Sequence, residues 1–205
     1  MTHADLLLGS STRLKPGFAD PVFETQSAFR AVLSAMSYPG RVHALETDLD
    51  PPSPLAAATA AIALTLFDFG NEVWLDGVTA TGPVPDFLRF HCGSRLVNNP
   101  IEARFALITD PSNLPALESF AIGEDSYPDR SATLVIQVPS LTNGPVATWT
   151  GPGIETRSEV RIAGLSEAFW EQWSLNHDLY PLGVDIVFVS EDSVVGLPRG
   201  VKVEE

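Results

Sequence analysis

The sequence predicts an α/β protein built around a mixed sheet, and three observations support this fold class. Short apolar runs typical of buried strands alternate along the chain with segments of helical apolar spacing. Residues 184–189 are mostly apolar at alternate positions on both faces, as in a central strand covered on two sides. Residues 146–150 and 159–162 have the alternation of an antiparallel hairpin. Strands separated by helices, with hairpins late in the chain, are typical of an α/β sandwich.

The first predicted helix begins at Asp20 and Pro21, because aspartate caps helix starts and proline is tolerated in the first turn. Pro39-Gly40 ends it. Apolar residues one turn apart predict the face that packs on the core: Phe29, Val32, Leu33 and Met36.

The next elements follow in order. Residues 41–45 predict a short strand, and residues 54–66 a helix that is apolar nearly all round and therefore buried on most faces. Residues 73–75 predict a buried strand and residues 85–90 a short helix.

The second half continues this alternation. Residues 105–109 and 132–138 predict strands, with a weakly helical stretch at 114–120 between them. Ser166 is predicted to cap a helix whose Leu165, Phe169 and Trp173 lie one turn apart. A last strand at residues 194–197 precedes Pro198 and a charged tail.

Length and composition indicate a single domain over residues 1–205, with residues 1–20 as a peripheral segment. The net charge of −14 disfavours free nucleic acid as a partner, since phosphates bind basic surfaces. A lone cysteine, Cys92, cannot form an intramolecular disulfide, and no signal peptide or membrane-length apolar run is evident. We therefore expect a cytoplasmic protein.

The sequence lacks the motifs that several kinds of chemistry require. No GxxxxGK[ST] loop or GxSxG elbow is present, and the turn at Gly151-Pro152-Gly153 loses one amide donor to its proline. The histidines form no HxxxH or HxH pair, so no metal site is predicted. Pyridoxal phosphate needs a lysine in the core, whereas Lys15 and Lys202 lie near the termini, so no cofactor is predicted.

The candidate site residues are charged or ionisable groups in apolar surroundings. A guanidinium can bind phosphate or carboxylate with two hydrogen bonds, and the competing interpretation is a structural salt bridge. His91 is either a general acid or a hydrogen-bonded structural histidine. Asp185 inside an apolar strand must be paired, which indicates a structural fastener first and an interface or site residue second. The candidates for a ligand or interface are Arg30, Arg89, His91, Asp185 and Arg199.

Seven motifs in a fixed order resemble the PhnH family of the bacterial carbon–phosphorus lyase system, from about Pro21 to the C-terminus. They are FRAVLSAMSYPG (29–40), LTLFD followed by VWL (64–75), LRFHC (88–92), SATLVIQV (131–138), TGPGI (150–154), PLGVDIVFV (181–189) and LPRG (197–200).

The resemblance implies a three-layer α/β/α fold with a mixed central sheet, related to pyridoxal-phosphate-dependent transferases but without the cofactor. It also implies a homodimer that joins PhnG, PhnI and PhnJ subunits. That complex transfers an alkylphosphonate onto the ribose C1 of ATP and displaces adenine. The resemblance assigns no catalytic residue, so Arg89, His91 and Arg199 are the positions to test.

Three hypotheses about the function remain open at this point. The leading hypothesis is a subunit of the phosphonate ribosyl-triphosphate transferase that shapes a composite assembly. The alternative is a stand-alone phosphonate- or nucleotide-binding module, or small-molecule enzyme, in which Arg89, His91 and Arg199 form a pocket. A scaffold that binds no ligand is the third possibility.

Overall fold

The computed structural model describes residues 14–204, so most of the predicted peripheral segment lies outside the described residues. The helices of the described part are α1 (Pro21–Ser37), α2 (Ala57–Leu66), α3 (Val84–Cys92) and α4 (Phe169–Asp178). Its strands are β1 (His43–Ala44), β2 (Glu72–Leu75), β3 (Arg95–Val97), β4 (Phe105–Ile108), β5 (Thr133–Gln137), β6 (Val146–Thr150), β7 (Ser158–Arg161), β8 (Asp185–Ser190), β9 (Ser193–Leu197) and β10 (Lys202–Glu204). Within this part, no helix is long and apolar enough to span a bilayer.

A seven-stranded mixed sheet forms the centre of the fold, in the order β1-β9-β8-β5-β4-β2-β3. The five strands from β8 to β3 run parallel, whereas β9 is antiparallel to β8 and β1 is antiparallel to β9. The predicted α/β class and mixed central sheet are therefore confirmed. Strand β8 lies between β5 and β9 and is buried along its length from Ile186 to Ser190, as predicted for a central strand.

A second sheet of three strands has the order β10-β6-β7. Its β6–β7 pair is the predicted hairpin, with Ala147 opposite Val160. No strand was predicted in the charged tail, whereas Lys202–Glu204 pair with β6 and form β10. The charged Lys202 and Glu204 obscure the pattern of an edge strand in the sequence. Val203 between them packs against the apolar cluster below the small sheet.

Apolar side chains pack on both faces of the central sheet. Val135 and Val187 belong to the cluster formed with α1, α2 and α3. Their neighbours Leu134 and Ile186 belong to the opposite cluster, with α4 and the small sheet. This alternation follows from the two-residue period of a strand. It also explains why the strands read as continuous apolar runs in the sequence.

The predicted core face of α1 is wrong at two positions. Phe29 and Leu33 are 49% and 53% exposed, whereas the neighbouring alanines Ala28 and Ala35 are buried together with Val32. Small residues face the sheet because α1 lies very close to β9. A Cβ added to Gly196 would lie 2.5 Å from the Ala35 carbonyl oxygen, so only a glycine allows this approach.

Other differences from the predictions concern helix starts and short elements. Ser166 does not cap α4 with its side chain, because the helix starts later, at Phe169, and only the Ser166 carbonyl accepts the Phe169 N–H (3.0 Å). Phe169 and Trp173 are buried as predicted. The stretch 114–120 contains only one 3₁₀ turn, Leu117–Ser119. The edge strand β3 was not predicted, because three residues give too little periodicity.

Replacement of Gly196 by alanine tests the close contact between α1 and β9. We expect Gly196→Ala to lower the free energy of unfolding by about 1–3 kcal/mol, because the added methyl group displaces the α1 backbone. Gly77→Ala is the matched control, since a Cβ at Gly77 meets no atom within 4 Å. Urea unfolding monitored by tryptophan fluorescence measures both variants. Equal stability of the two variants would contradict the close contact.

Candidate functional site

Arg199 and Asp185 form an ion pair where β8 begins and β9 ends. Their side chains are only 14% and 19% exposed. The Arg199 Nε–H donates to Asp185 Oδ1 (3.1 Å), and its Nη2 donates to Oδ2. The Arg199 backbone N–H also donates to Oδ1 (2.8 Å). These hydrogen bonds satisfy both oxygens of the Asp185 carboxylate, which the sequence places inside an apolar strand.

The remaining donors of the Arg199 guanidinium bind the loop before β5. Nη1 donates to the Pro128 carbonyl oxygen (2.8 Å), and Nη2 also donates to Ser131 Oγ. Ser131 is buried at the start of that strand. An incoming phosphate would have to displace these internal partners. The geometry therefore favours the structural interpretation of Asp185 and Arg199 over ligand binding.

His91 and Arg89 lie near the end of α3 and have different surroundings. Arg89 is exposed, and its Nη1 lies 3.4 Å from Asp86 Oδ1 one turn earlier. The His91 ring packs against Phe87 and Phe90, with centroids 4.7 and 4.9 Å away. Its Nε2 lies 2.9 Å from the Lys15 carbonyl oxygen, so this nitrogen carries a proton and donates. His91 thus fastens α3 to the chain before α1.

The structure does not bring the three residues of the alternative hypothesis into one pocket. Arg89 and His91 lie on the helix that leads into the edge strand β3, whereas Arg199 binds Asp185 on β8. Strands β8 and β3 are separated by three others, a span of about 19 Å at the usual strand spacing. Arg30 lies apart from both groups, exposed on α1.

Asp76 is a buried carboxylate that the sequence reasoning missed. It follows β2 and is 5% exposed. Its Oδ1 accepts from the Thr79 N–H (2.8 Å) and hydroxyl (2.6 Å), and its Oδ2 accepts from the backbone N–H groups of Thr109 (2.6 Å) and Asp110 (2.9 Å). An aspartate directly after the apolar VWL run was the available signal, since a carboxylate there must find buried donors.

Asp76 marks the point where the order of the parallel strands reverses. The chain passes from β2 to β3 at one edge and then to β4 on the other side of β2. Ligands of open α/β sheets bind in the crevice at such points, beyond the carboxyl ends of the strands. Here the Asp76 carboxylate joins the loops that follow β2 and β4. With both oxygens engaged by backbone and hydroxyl donors, it is built to hold two loops together.

Neither lysine has the surroundings of a Schiff-base residue. Lys15 forms an ion pair with Asp50, and Lys202 pairs with Glu204 (2.8 Å) on β10. Their side chains are 43% and 60% exposed. Among residues 14–204, no three His, Cys, Asp or Glu side chains lie together as a metal-binding group.

A cavity of about 540 Å³ lies at the start of α3. Lys15, Asp86 and Phe87 contribute to its wall, together with the chain around Pro52. None of Arg89, His91 or Arg199 lines it. The cavity therefore does not supply the arginine-rich pocket that the alternative hypothesis requires.

Large apolar side chains are displayed over much of the described surface. Phe69 is 87% exposed at the tip of the loop between α2 and β2. Asp68 Oδ1 accepts from the Gly70 N–H (2.8 Å) and from Asn71 Nδ2 (2.7 Å), so this turn is ordered and holds the ring outward. The other large apolar side chains with more than half of their surface exposed are Val22, Phe23, Leu33, Phe90, Leu175 and Tyr180. Burial of such side chains against another protein would remove apolar surface from water.

Removal of the Arg199 guanidinium tests its structural role. We expect Arg199→Ala to lower the free energy of unfolding by about 3 kcal/mol, because Asp185 keeps a mostly buried charge without its partner. Arg89→Ala is the matched control, and its exposed pair with Asp86 contributes less than about 1 kcal/mol. Urea unfolding at pH 7 measures both variants. Equal losses of unfolding free energy in the two variants would show that Arg199 has no special structural role.

Cys92 lies on the same helix as Arg89, and burial raises the pKa of its thiol to about 11. We expect iodoacetamide to alkylate Cys92 far more slowly than free cysteine at pH 8, with a rate that rises toward that pKa, because only the thiolate reacts. Mass spectrometry of intact protein follows the reaction, and the urea-unfolded chain serves as the reactive control. Alkylation of the folded chain at the rate of free cysteine would contradict a buried thiol.

The chain is similar to known proteins over nearly its whole length. The profile of the family described as "Bacterial phosphonate metabolism protein (PhnH)" matches residues 16–204. The "Alpha-D-ribose 1-methylphosphonate 5-triphosphate synthase subunit PhnH" of Rhizobium meliloti (strain 1021) is 38% identical over 187 residues, which cover 91% of this chain and 94% of the relative.

A second relative is the HtxG protein of Stutzerimonas stutzeri, whose name places it with the C-P lyase subunits. It is 33% identical over 176 residues, which cover 85% of this chain and 83% of HtxG. The two similarities thus cover 94% of the synthase subunit and 83% of HtxG. This chain belongs to the PhnH family.

Proposed function

We propose that this chain is a subunit of the complex that joins an alkylphosphonate to the ribose C1 of ATP in organic phosphonate catabolism. In that reaction the new bond links a phosphonate oxygen to C1, the bond from C1 to the base breaks, and adenine leaves. The observation that carries the proposal is the 38% identity to a named synthase subunit over 91% of this chain.

We propose further that the chain contributes shape to the complex and is not itself the catalyst. In support, the most buried ion pair, Arg199 with Asp185, is engaged entirely by internal partners, and His91 binds a backbone carbonyl. The exposed rings at Phe69 and Phe90 offer surface for association instead. Catalytic groups would then come from the other subunits.

The proposed fold relationship is to the three-layer pyridoxal-phosphate-dependent transferases, without the cofactor. The mixed sheet with α1, α2 and α3 against one face and α4 against the other supports this proposal. The surface ion pairs of Lys15 and Lys202 do not fit a Schiff base, which requires a lysine held in the core.

The proposed partners are a second copy of this chain and PhnG-, PhnI- and PhnJ-like subunits, in the cytoplasm. For the second copy, the outer side of α1 is the most suitable surface. Val22, Phe29 and Leu33 are exposed there beside Arg30. The acidic residue of α1, Glu24, is half-buried and accepts from the Asp20 N–H (2.6 Å). Two copies of an acidic chain could meet there with little repulsion.

Association with the partner subunits is the direct test. We expect the chain to co-elute with co-expressed PhnG-, PhnI- and PhnJ-like subunits from the same genome during size-exclusion chromatography at micromolar concentration. The control omits this chain and shows a complex smaller by the missing mass. Separate elution of a folded chain would contradict membership of the complex.

A thermal-shift assay of the isolated chain tests the stand-alone alternative. Ligand that binds only the native state raises the melting temperature. We expect no shift with methylphosphonate or ATP, since Arg89 and His91 lie far from Arg199. A saturable shift that Arg89→Ala abolishes would favour the alternative over the subunit.

A further inference from the structure

An apolar groove runs along the exposed side of α4, on the opposite face of the sheet from α1. It has a volume of about 430 Å³ and lies between α4 and the 3₁₀ turn Leu117–Ser119. We call it the α4 groove. Its apolar wall consists of Ala116, Leu117, Ile122, Leu175 and Leu179.

Two amide side chains line the α4 groove and have internal partners. Gln172 Oε1 accepts from the Leu117 N–H (3.0 Å), which ties the 3₁₀ turn to α4. Asn176 is buried, and its amide donates to the Val184 carbonyl oxygen (3.1 Å) and accepts from the Val184 N–H (2.8 Å). These contacts fix the wall of the groove and engage the carbonyl oxygens of both amides. An occupant therefore contacts the wall mainly through apolar side chains.

Two leucines form an exposed ridge along the groove. Leu175 and Leu179 lie four residues apart, one helical turn, and are 65% and 42% exposed. A ridge with this spacing fits between the side chains of another helix, which repeat every three or four residues. Burial of both leucines against such a helix removes apolar surface from water.

The charges that line the groove decide between classes of occupant. Glu118 and Asp178 are exposed on its rim, and neither lysine nor arginine lines it. A phosphonate or a nucleotide triphosphate is anionic and is repelled from this rim, on a chain whose net charge is already −14. A second copy of the chain brings the same negative charge. A helix with apolar side chains and flanking basic residues matches both the wall and the rim.

We propose that the α4 groove binds a helix of a partner protein that carries apolar side chains one turn apart, with lysine or arginine on either side. This inference rests on the proposed function, in which the chain is one subunit of a larger complex. It names the surface and the chemistry of one contact in that complex. It leaves the outer side of α1 for the second copy.

A designed peptide tests the groove without reference to any particular partner. The probe is a helical peptide of about 16 residues with leucines on three successive turns and two lysines at each end. A second peptide has glutamate in place of each lysine. Fluorescence anisotropy of labelled peptides measures binding to the folded chain at low and high salt.

We expect the lysine peptide to bind saturably and the glutamate peptide to bind about tenfold more weakly at low salt, since the rim is acidic. Leu175→Asp should weaken binding of the lysine peptide by about tenfold or more. Val78→Asp is the matched control in the loop between β2 and α3, at an apolar position that is 48% exposed, and should leave binding unchanged. Equal binding of both peptides, or no effect of Leu175→Asp, would overturn the proposal.

The same variants separate this inference from the proposed function. If the wild-type chain fails to join the PhnG-, PhnI- and PhnJ-like subunits but binds the lysine peptide through Leu175, the proposed function fails and the groove stands. If the complex assembles equally well with Leu175→Asp and the peptide does not bind, the groove fails and the function stands. A change in the oligomeric state of Leu175→Asp in analytical ultracentrifugation would show a self-interface and overturn the proposal.

Discussion

The guanidinium of Arg199 connects more separate parts of the chain than the other candidate residues do. It binds the carboxylate at the start of β8, the Pro128 carbonyl and the Ser131 hydroxyl before β5, while its own backbone follows β9. Three neighbouring strands of the central sheet are thereby joined at one end. Asp76 joins the ends of β2 and β4 in the same way. Arg199, Asp185 and Asp76 thus hold loops in place.

This use of charge limits what the chain can do chemically. A catalytic or phosphate-binding residue needs a side chain that faces substrate, whereas Arg199, Asp185 and Asp76 bind internal partners. The described surface instead has exposed apolar side chains on α1, at the Phe69 turn and along α4. Exposed apolar area costs free energy in water, and a partner that covers it would remove that cost. This geometry is compatible with the proposed role of the chain as a subunit of a larger complex.

Much of the fold followed from the sequence because buried strands and their two-residue period are strong signals. The runs that became β5 and β8 were predicted within a residue or two. The face of α1 was not, because Phe29 and Leu33 are more apolar than the alanines that actually contact the sheet. The deciding residue was Gly196 on a distant strand, and no local pattern in α1 reveals that contact.

The site was less predictable than the fold. The pairing of Asp185 with Arg199 could be suspected from a carboxylate in an apolar strand, but its partners at Pro128 and Ser131 lie far along the chain. The order of motifs identified the family, since it records the whole arrangement at once. The α4 groove had no signal in the sequence, because Leu175 and Leu179 are ordinary helix residues until the structure shows them exposed.

The most direct measurement of the central claim is adenine release from ATP and methylphosphonate by purified components. Chromatography of the reaction detects free adenine, with the full set of subunits, the set without this chain, and this chain alone. The account predicts adenine from the full set and none from either incomplete mixture. Adenine produced by this chain alone, or by the set that lacks it, would contradict a role as a required but non-autonomous subunit.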